Sequence, residues 1–353
     1  MPLITKETID KLKEVAMDND AVVLTAKVDN PFGYGRIIKD ENGNLLAIVE
    51  QKDATDEQKL VNEINSSVYC IKIDLLLDCL DKIGCDNAAG EYYLTDCIQM
   101  LSKAGKKVTT LCVDFDECLG VNSKVQLAVA SKILRQRINE KLMNEGVIII
   151  DPDSTYIEDT VTIGTDTVIY PNNVIEGNTV IGSNCTLYQG SRILNSVVGD
   201  NVTIESSVLT DAKVGEGTTV GPFAYLRPKS NIGDHCRIGD FVEVKNSNIG
   251  DGTKVSHLTY IGDGDVGSGV NVGCGVVFVN YDGINKNRTV VEDNCFIGCN
   301  TNLISPVKVE HGAYIAAGST VTDDVPSGAL CIARERQTNK LNWKNKWKEA
   351  RDK

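Results

Sequence analysis

Aliphatic side chains recur at every sixth residue through the second half of the chain. The repeat falls into three blocks, whose members are Ile163, Ile169, Ile175, Ile181, Leu187 and Ile193, then Val214, Val220, Leu226, Ile232, Ile238 and Val244, then Ile297, Leu303, Val309, Ile315 and Val321. An amphipathic helix has a period of 3.6 residues and a half-buried strand a period of two, so neither produces this spacing. A parallel β-helix does, because each group of six residues forms one flat side of a triangular coil.

Small, turn-forming residues follow many of the aliphatic positions, as Gly164, Gly182 and Gly233 do. Gly, Asn and Asp tolerate the positive φ that a tight corner requires. The pattern therefore predicts a mainly β protein in which about eight coils of three hexads each span Ile163–Val321.

The first 120 residues have a different pattern, in which short apolar runs alternate with helical segments. The strand-like runs are Ala21–Val28, Leu45–Gln51, Ser66–Ile71 and Lys107–Val113, and the helix-like segments are Leu75–Ile83 and Leu94–Ala104. Thr5 is a candidate N-cap for an earlier helix. The alternation predicts part of an α/β sheet. The segment contains neither GxGxxG nor GxxxxGK[ST], so a glycine-rich phosphate loop is not expected within it.

Residues 121–146 are predicted to form a helix between these two regions. Ser123 and Gln126 have the spacing of a capping box, and Gly146 is suited to the C-terminal stop. We expect this helix to link the domains and to cover the open edge of the first coil, which would otherwise attract another strand.

Charge and cysteine content limit the possible functions. A formal net charge of −13 argues against nucleic-acid binding. Residues 334–353 are nevertheless basic, with eight Lys or Arg against three Asp or Glu; they suit an anionic ligand, an acidic partner or a solvated tail. The sequence has no signal peptide and no apolar run long enough to cross a membrane, and its twelve cysteines include no CxxC pair. These features predict a cytoplasmic protein with reduced thiols.

His257 is the candidate general base. At about 18 residues per coil, Glu243 and Lys245 lie roughly one coil below it, and Asn271 and Cys274 roughly one coil above. A histidine beside a carboxylate suits proton transfer. Arg227 and Lys245 are also one coil apart and suit a phosphate. From spacing alone, a surface histidine and solvated corner charges remain alternatives. The turn-rich segment 278–290 interrupts the repeat near this position and is expected to project as a loop.

Long motifs in this region resemble a known enzyme family. The runs GPFAYLRP, GDFVEVKNSNIGDGTKVSHLTYIGD, VNVGCGVVFVNYDGINK and YIAAGSTVT, preceded by IVEQKDATDEQ, GEYYLTD and LGVNSKVQLA, are similar to the bacterial bifunctional N-acetylglucosamine-1-phosphate uridyltransferase/glucosamine-1-phosphate acetyltransferase. The resemblance covers nearly the whole chain in order. It implies a homotrimer of left-handed β-helices, with acetyl transfer at the subunit boundaries.

The resemblance also implies roles for individual residues. His257 would be the base and Glu243 would orient or support it. Glucosamine 1-phosphate would be held by Arg227, Lys245, Tyr260, Asn271 and Lys286. Acetyl-CoA, the cosubstrate, would be bound by Cys274, Asn280, Tyr281, Cys299, Ala317 and Arg334. Residues matching UDP-sugar contacts are Gly35, Glu50, Asn65 and Asn122, with Asn122 also matching a magnesium ligand.

This sequence departs from the family pattern at several points. Alanine is usual where Cys274 stands and serine where Cys299 stands. The family's opening segment, with its phosphate loop and an acidic magnesium ligand, has no counterpart here, so we expect no useful uridyl transfer and no firm role for magnesium. The implied organisation is a truncated α/β nucleotidyltransferase (pyrophosphorylase) domain at 1–120, a linker helix at 121–147, a β-helix acetyltransferase domain at 148–333 and a basic tail at 334–353.

The expected reaction is acetyl transfer from acetyl-CoA to glucosamine 1-phosphate, in the synthesis of UDP-N-acetylglucosamine for peptidoglycan and lipopolysaccharide. Three alternatives remain open. The chain belongs to a full bifunctional enzyme, it acylates another amino sugar, or it is a non-catalytic protein that only trimerises or binds a UDP-sugar.

Overall fold

A computed structural model describes residues 1–343 and 350–351 of the chain. Two compact units divide at residue 134, the first being Met1–Leu134 and the second Arg135–Lys353. The division falls within the helix Lys124–Asn144, whereas the sequence predicted a boundary on either side of that helix. Part of the predicted basic tail, residues 344–349 and 352–353, lies outside the described residues.

The N-terminal unit contains a five-stranded sheet, so the predicted α/β character is confirmed. Its strands are β1 (Ala21–Lys27), β2 (Arg36–Lys39), β3 (Leu45–Val49), β4 (Glu63–Ile71) and β5 (Val108–Val113), in the order β3-β2-β4-β1-β5. Its helices are α1 (Lys6–Met17), α2 (Ile73–Leu80) and α3 (Asp96–Lys103), with 3₁₀ turns at Gln58–Leu60 and Phe115–Cys118. The pairing is antiparallel except between β1 and β5. Strand β2, only four residues long, was not predicted.

Both faces of this sheet are covered because β1 is apolar on each side. Ala21 and Val23 pack into one hydrophobic cluster, and Val22, Leu24 and Ala26 into the other. A strand buried on both faces appears as a continuous apolar run rather than an alternating one. Thr5 caps α1 as predicted, since its side chain accepts a hydrogen bond from the backbone N–H of Thr8.

Helix α4 (Lys124–Asn144) begins three residues later than predicted. The Ser123 hydroxyl accepts from the backbone N–H of Gln126, and the chain turns after the helix at Gly146, whose φ is +100°. In the second unit, Leu142 joins the core of the coils. Asn139 is fully buried and donates to the carbonyls of Pro152 and Thr155. The end of α4 therefore covers the first coil, as expected.

The second unit is a left-handed parallel β-helix, which confirms the predicted fold. In the described part of the chain its strands form three parallel sheets, here called faces 1, 2 and 3. Face 1 comprises Ile148–Ile149, Val168–Ile169, Thr186–Leu187, Thr203–Ile204, Thr219–Val220, Arg237–Asp240, Lys254–His257, Asn271–Val272, Phe296–Ile297, Tyr314–Ile315 and Leu330–Cys331. Face 2 comprises Tyr156–Ile157, Val174–Glu176, Arg192–Leu194, Val208–Thr210, Tyr225–Leu226, Glu243–Lys245, Tyr260–Gly262, Val277–Val279, Asn302–Ile304 and Thr320–Val321. Face 3 comprises Thr162–Ile163, Val180–Ile181, Val197–Val198, Lys213–Val214, Asn231–Ile232, Asn248–Ile249, Gly264–Val266, Thr289–Val291 and Val307–Val309.

The coils are not uniform in length, and this decides which residues stack. Thr203 pairs with Thr219 after 16 residues, whereas Thr219 pairs with Arg237 after 18. The aliphatic residue of each hexad points inward, so that Ile238, for example, is fully buried. Burying one such side chain contributes roughly 1.5–3 kcal/mol. The repeated core holds the outward-facing residues at constant spacing on rigid strands.

Candidate functional site

His257 lies at the end of a face 1 strand, and its register partner on the coil below is Asp240. The two side chains are partly exposed, and His257 Nδ1 lies 2.7 Å from Asp240 Oδ1. A carboxylate can only accept a hydrogen bond, so Nδ1 carries the hydrogen when the imidazole is neutral. This leaves Nε2 with a free lone pair, which is the arrangement that a general base requires.

The sequence analysis missed Asp240. The coil between Asp240 and His257 has 17 residues, whereas the prediction used about 18 and so selected other neighbours. The hydrogen bond from His257 lowers the pKa of the Asp240 carboxyl. Asp240 is therefore anionic at neutral pH and can balance a positive charge on the imidazole.

Glu243 has a different partner from the one expected. It lies on face 2, where Tyr260 is its register partner on the coil above. Its carboxylate Oε1 accepts a hydrogen bond of 2.7 Å from Arg227 Nη1, and this bond raises the pKa of Arg227. Glu243 therefore orients Arg227, and the expectation that its carboxylate supports His257 is replaced by the Asp240 contact.

Three cations converge on face 2. Arg227 follows the residue that pairs with Val244, so it stands beneath Lys245. Lys286 reaches the same place from the loop, where Tyr281 bridges to it in antiparallel fashion. Hydrogen bonding to Lys245 and repulsion from its ammonium lower the pKa of Lys286, and Arg227 adds to the effect. An anion bound here would relieve that repulsion.

Asp263 holds the cluster together from the next coil. Its carboxylate accepts from Lys245 Nζ at 3.3 Å and from the amides of Asn246 and Asn280. Burial favours the neutral acid, but these hydrogen bonds outweigh it and the pKa of Asp263 lies below its ordinary value. Asn280, predicted at the acetyl-CoA site, is buried and bound to Asp263, and its amide also lies 3.5 Å from the phenol oxygen of Tyr260.

A column of small residues continues above His257 on face 1. The register places Cys274 over His257, and Cys299 over Cys274, because the Asn300 N–H donates to the Cys274 carbonyl at 2.8 Å. Gly318 N–H donates in the same way to the carbonyl of Cys299, which sets Ala317 on the next coil. Cys274 and Cys299 are exposed. The column is a shallow open strip beside the base.

The remaining predicted residues lie around this strip. Asn271 is on the same face as Cys274 and pairs with Phe296 on the coil above. Tyr281 is 56% exposed on the loop, where its hydroxyl donates to the Gly283 carbonyl. The Arg334 side chain approaches Gly318, next to Ala317. A base, a group of cations and an open strip thus occupy adjoining parts of one surface, as a reaction between an amine-bearing anion and a second ligand requires.

Comparisons with known proteins agree with this fold. The family described as bacterial transferase hexapeptide (six repeats) matches residues 160–195, 211–246 and 288–323. The protein named Bifunctional protein GlmU from Clostridium kluyveri is 57% identical over 344 residues, covering 97% of this chain and 75% of the relative. The chain belongs to the GlmU family. The GlmU protein of Clostridium acetobutylicum is 55% identical over 347 residues, covering 98% of this chain and 76% of the relative.

The N-terminal unit of this GlmU family member has a cleft of its own. Glu50, Asn65 and Tyr69 line it. Gly35 adjoins Glu50, since a Cβ added to that glycine would lie 3.1 Å from Glu50 Oε1. Burial and the nearby Asp53 carboxylate raise the pKa of Glu50. Three of the four residues predicted to contact a UDP-sugar therefore lie together.

Asn122, the fourth of these residues and the predicted magnesium ligand, does not line that cleft. Its backbone N–H donates to Gln126 Oε1 at the start of α4. Among the described residues, no three His, Cys, Asp or Glu side chains are grouped to hold a metal ion, so the residues present do not fit magnesium. Within the same residues, no helix combines the length and apolar character needed to cross a bilayer.

Proposed function

We propose that this GlmU family member transfers the acetyl group of acetyl-CoA to the amine of glucosamine 1-phosphate, giving N-acetylglucosamine 1-phosphate and CoA. The observation that carries the proposal is the free Nε2 of His257, held by the 2.7 Å contact of Nδ1 with Asp240, on the same surface as the cations of Arg227, Lys245 and Lys286. The identity of over 55% to GlmU proteins supports the same activity. The product would supply UDP-N-acetylglucosamine synthesis for peptidoglycan and lipopolysaccharide.

The chemistry requires a base and an activated acyl group. An ammonium has no lone pair, so the amine must be neutral when it attacks the thioester carbonyl. A carbon–nitrogen bond forms, the carbon–sulfur bond breaks, and His257 Nε2 takes the amine proton. The CoA thiolate leaves and is protonated by the imidazolium or by solvent. Since acetyl-CoA is already activated, no acyl-enzyme is needed, and Cys274 and Cys299 serve as lining rather than as nucleophiles.

The cation cluster suits the phosphate of the sugar. Guanidinium and ammonium groups form charge-assisted hydrogen bonds with phosphate oxygens. Glu243 fixes the Arg227 guanidinium, and Asp263 fixes the Lys245 ammonium. Tyr260 and Asn271 are proposed to contact the sugar between this cluster and the base. Cys274, Asn280, Tyr281, Cys299, Ala317 and Arg334 are proposed to line the path of acetyl-CoA.

We also propose a homotrimer with active sites between subunits. Phe223, Phe241 and Leu258 stack at the corner beside His257 and are 59%, 58% and 59% exposed. Their φ angles are +60°, +56° and +42°, a region that costs a residue with a bulky side chain about 1–2 kcal/mol. An exposed apolar row on strained backbone is expected where another subunit packs.

His257→Ala tests the proposed reaction. The variant is expected to lower kcat by about 10²–10⁴-fold, because the amine then has no base. The assay is release of the CoA thiol from acetyl-CoA in the presence of glucosamine 1-phosphate. His311→Ala, an exposed histidine on a distant coil, is the matched control and should keep the parent rate.

Two results would contradict the proposal. The first is an unchanged rate for His257→Ala. The second is a purified parent protein that releases no thiol with glucosamine 1-phosphate but does so with another amino sugar, which would favour a different acceptor. Thiol release with no acceptor of any kind would leave only the non-catalytic reading.

A further inference from the structure

We propose that Asp240 is the positioning residue for the base: it holds the hydrogen on His257 Nδ1, keeps Nε2 unprotonated and facing the substrate, and balances the charge of the imidazolium that forms. The inference rests on the proposed acetyl transfer and extends it to a residue with no role assigned by the sequence pattern. Asp240 touches neither ligand in this role and acts only through His257.

The backbone makes the Asp240–His257 pair rigid. Asp240 ends the strand Arg237–Asp240 and His257 ends the strand Lys254–His257, so the two residues are register partners on adjacent coils. The Asp240 carbonyl accepts from the Leu258 N–H at 2.9 Å, which locks the pairing at the corner. Neighbouring strands are about 4.8 Å apart, and an aspartate is just long enough to bridge that gap to a ring nitrogen.

The hydrogen bond matters because a neutral imidazole has two tautomers. Without an acceptor at Nδ1, part of the population carries the hydrogen on Nε2 and cannot accept the amine proton. When Nε2 takes that proton, His257 becomes positively charged beside three other cations of the substrate site. A carboxylate 2.7 Å away offsets this charge in the transition state.

The other nearby carboxylates are already engaged. Glu243 pairs with Arg227, and Asp263 pairs with Lys245. The remaining charge near Asp240 is that of Arg237, which, together with the bond from His257, lowers the Asp240 pKa. Asp240 is therefore an anion throughout the working pH range.

Nitrogen NMR tests the tautomer without any assay of activity. The chain has only three histidines, so ¹⁵N-histidine labelling with His235→Gln and His311→Gln variants assigns the signals of His257. The parent protein at pH 8 is expected to show Nδ1 protonated and Nε2 unprotonated. Asp240→Ala should give a mixture of tautomers, and Glu243→Gln, which removes the rival carboxylate, should leave the parent tautomer. An Nε2-protonated His257 in the parent, or an unchanged tautomer in Asp240→Ala, would overturn the proposal.

Kinetics test whether the contact matters for catalysis. Asp240→Ala should lower kcat about 10- to 100-fold while KM for both substrates stays within about threefold, because only the base is disturbed. Asp240→Asn, whose amide oxygen still accepts from Nδ1–H, should recover part of that loss. Circular dichroism confirms folding, and Asp240→Asn covers the case in which the alanine variant fails to fold.

The two hypotheses fail in different ways. If kcat is unchanged in both Asp240 variants, the positioning role is wrong even when His257→Ala is inactive. If His257→Ala keeps its full rate, the proposed base is wrong, whatever tautomer the NMR spectra report.

Discussion

Lys286 illustrates how a single residue outside the repeat completes the site. It lies on the loop rather than on a coil, and its exposed ammonium faces Lys245 and Arg227. Like charges this close are unfavourable in the free protein, and Asp263 compensates only in part. The arrangement is stable enough to fold but is improved by an anion. Binding of a sugar phosphate therefore gains both new hydrogen bonds and relief of repulsion.

Lys286→Gln should raise KM for glucosamine 1-phosphate by about tenfold and leave kcat within about twofold, because it removes a phosphate contact but no group at the reacting atoms. KM for acetyl-CoA should not change. The measurement is steady-state thiol release at varied sugar phosphate. Lys213→Gln, an exposed lysine on face 3, is the control. A kcat effect with no change in KM would contradict the assignment of Lys286 to the phosphate.

At the scale of elements, the loop between faces 2 and 3 is anchored at its exit by Arg288. The Arg288 guanidinium forms a two-point ion pair with Asp265 and also donates to the carbonyls of Asn246 and Gly264 at 3.1 Å each. These contacts tie the end of the loop to two coils below it. The position of Lys286, two residues earlier, depends on this anchor.

The Asp265–Arg288 pair predicts an acid-dependent part of the stability. The hydrogen bond from Arg288 lowers the pKa of Asp265, so the folded carboxyl binds its proton at lower pH than the unfolded one. Its contribution is therefore complete above the unfolded pKa of about 3.9 and is lost as pH falls through the lowered folded value.

Asp265→Asn should lower Tm by about 1–3 °C at pH 7, since the pair is partly exposed, and this difference should shrink as the pH falls below about 4. Thermal unfolding followed by circular dichroism between pH 3 and 7 measures it. Asp159→Asn, an exposed aspartate on an early coil, serves as the control and should follow the parent at every pH. A difference that is constant with pH would mean that the ion pair does not contribute.

At the scale of the molecule, the two units have separate cores. The buried residues of the β-helix form one continuous cluster from Leu142 to Val325. The N-terminal sheet has its own two clusters, which contain Val23 and Leu24. Because every coil needs only its neighbours and the end of α4, the β-helix is expected to be stable by itself.

A fragment of residues 121–353 should therefore retain acetyl transfer with kcat within about threefold of the full chain. It keeps all of α4, so the first coil remains covered. Thiol release and sedimentation velocity measure activity and assembly together, and a trimer is expected for both proteins. An unfolded fragment, or an active monomer, would contradict the separate core or the proposed subunit boundary.

Prediction from the sequence was most accurate where the signal is periodic and local. The six-residue repeat identified the β-helix, and Thr5 and Gly146 marked helix ends correctly. It was least accurate where contacts depend on exact coil length. An error of one residue in the coil below His257 selected Glu243 and missed Asp240. Strand β2 was missed because four residues carry too little periodicity.

The amino-acid sequence by itself determined the coil architecture, because inward-facing aliphatic residues at constant spacing leave the backbone few other ways to bury them. It also determined the kinds of chemical group available, a histidine with nearby acids and bases. Only the tertiary structure decided which acid meets which base. A carboxylate pairs with the group that lies within about 3 Å of it, and that neighbour depends on whether a coil contains 16, 17 or 18 residues.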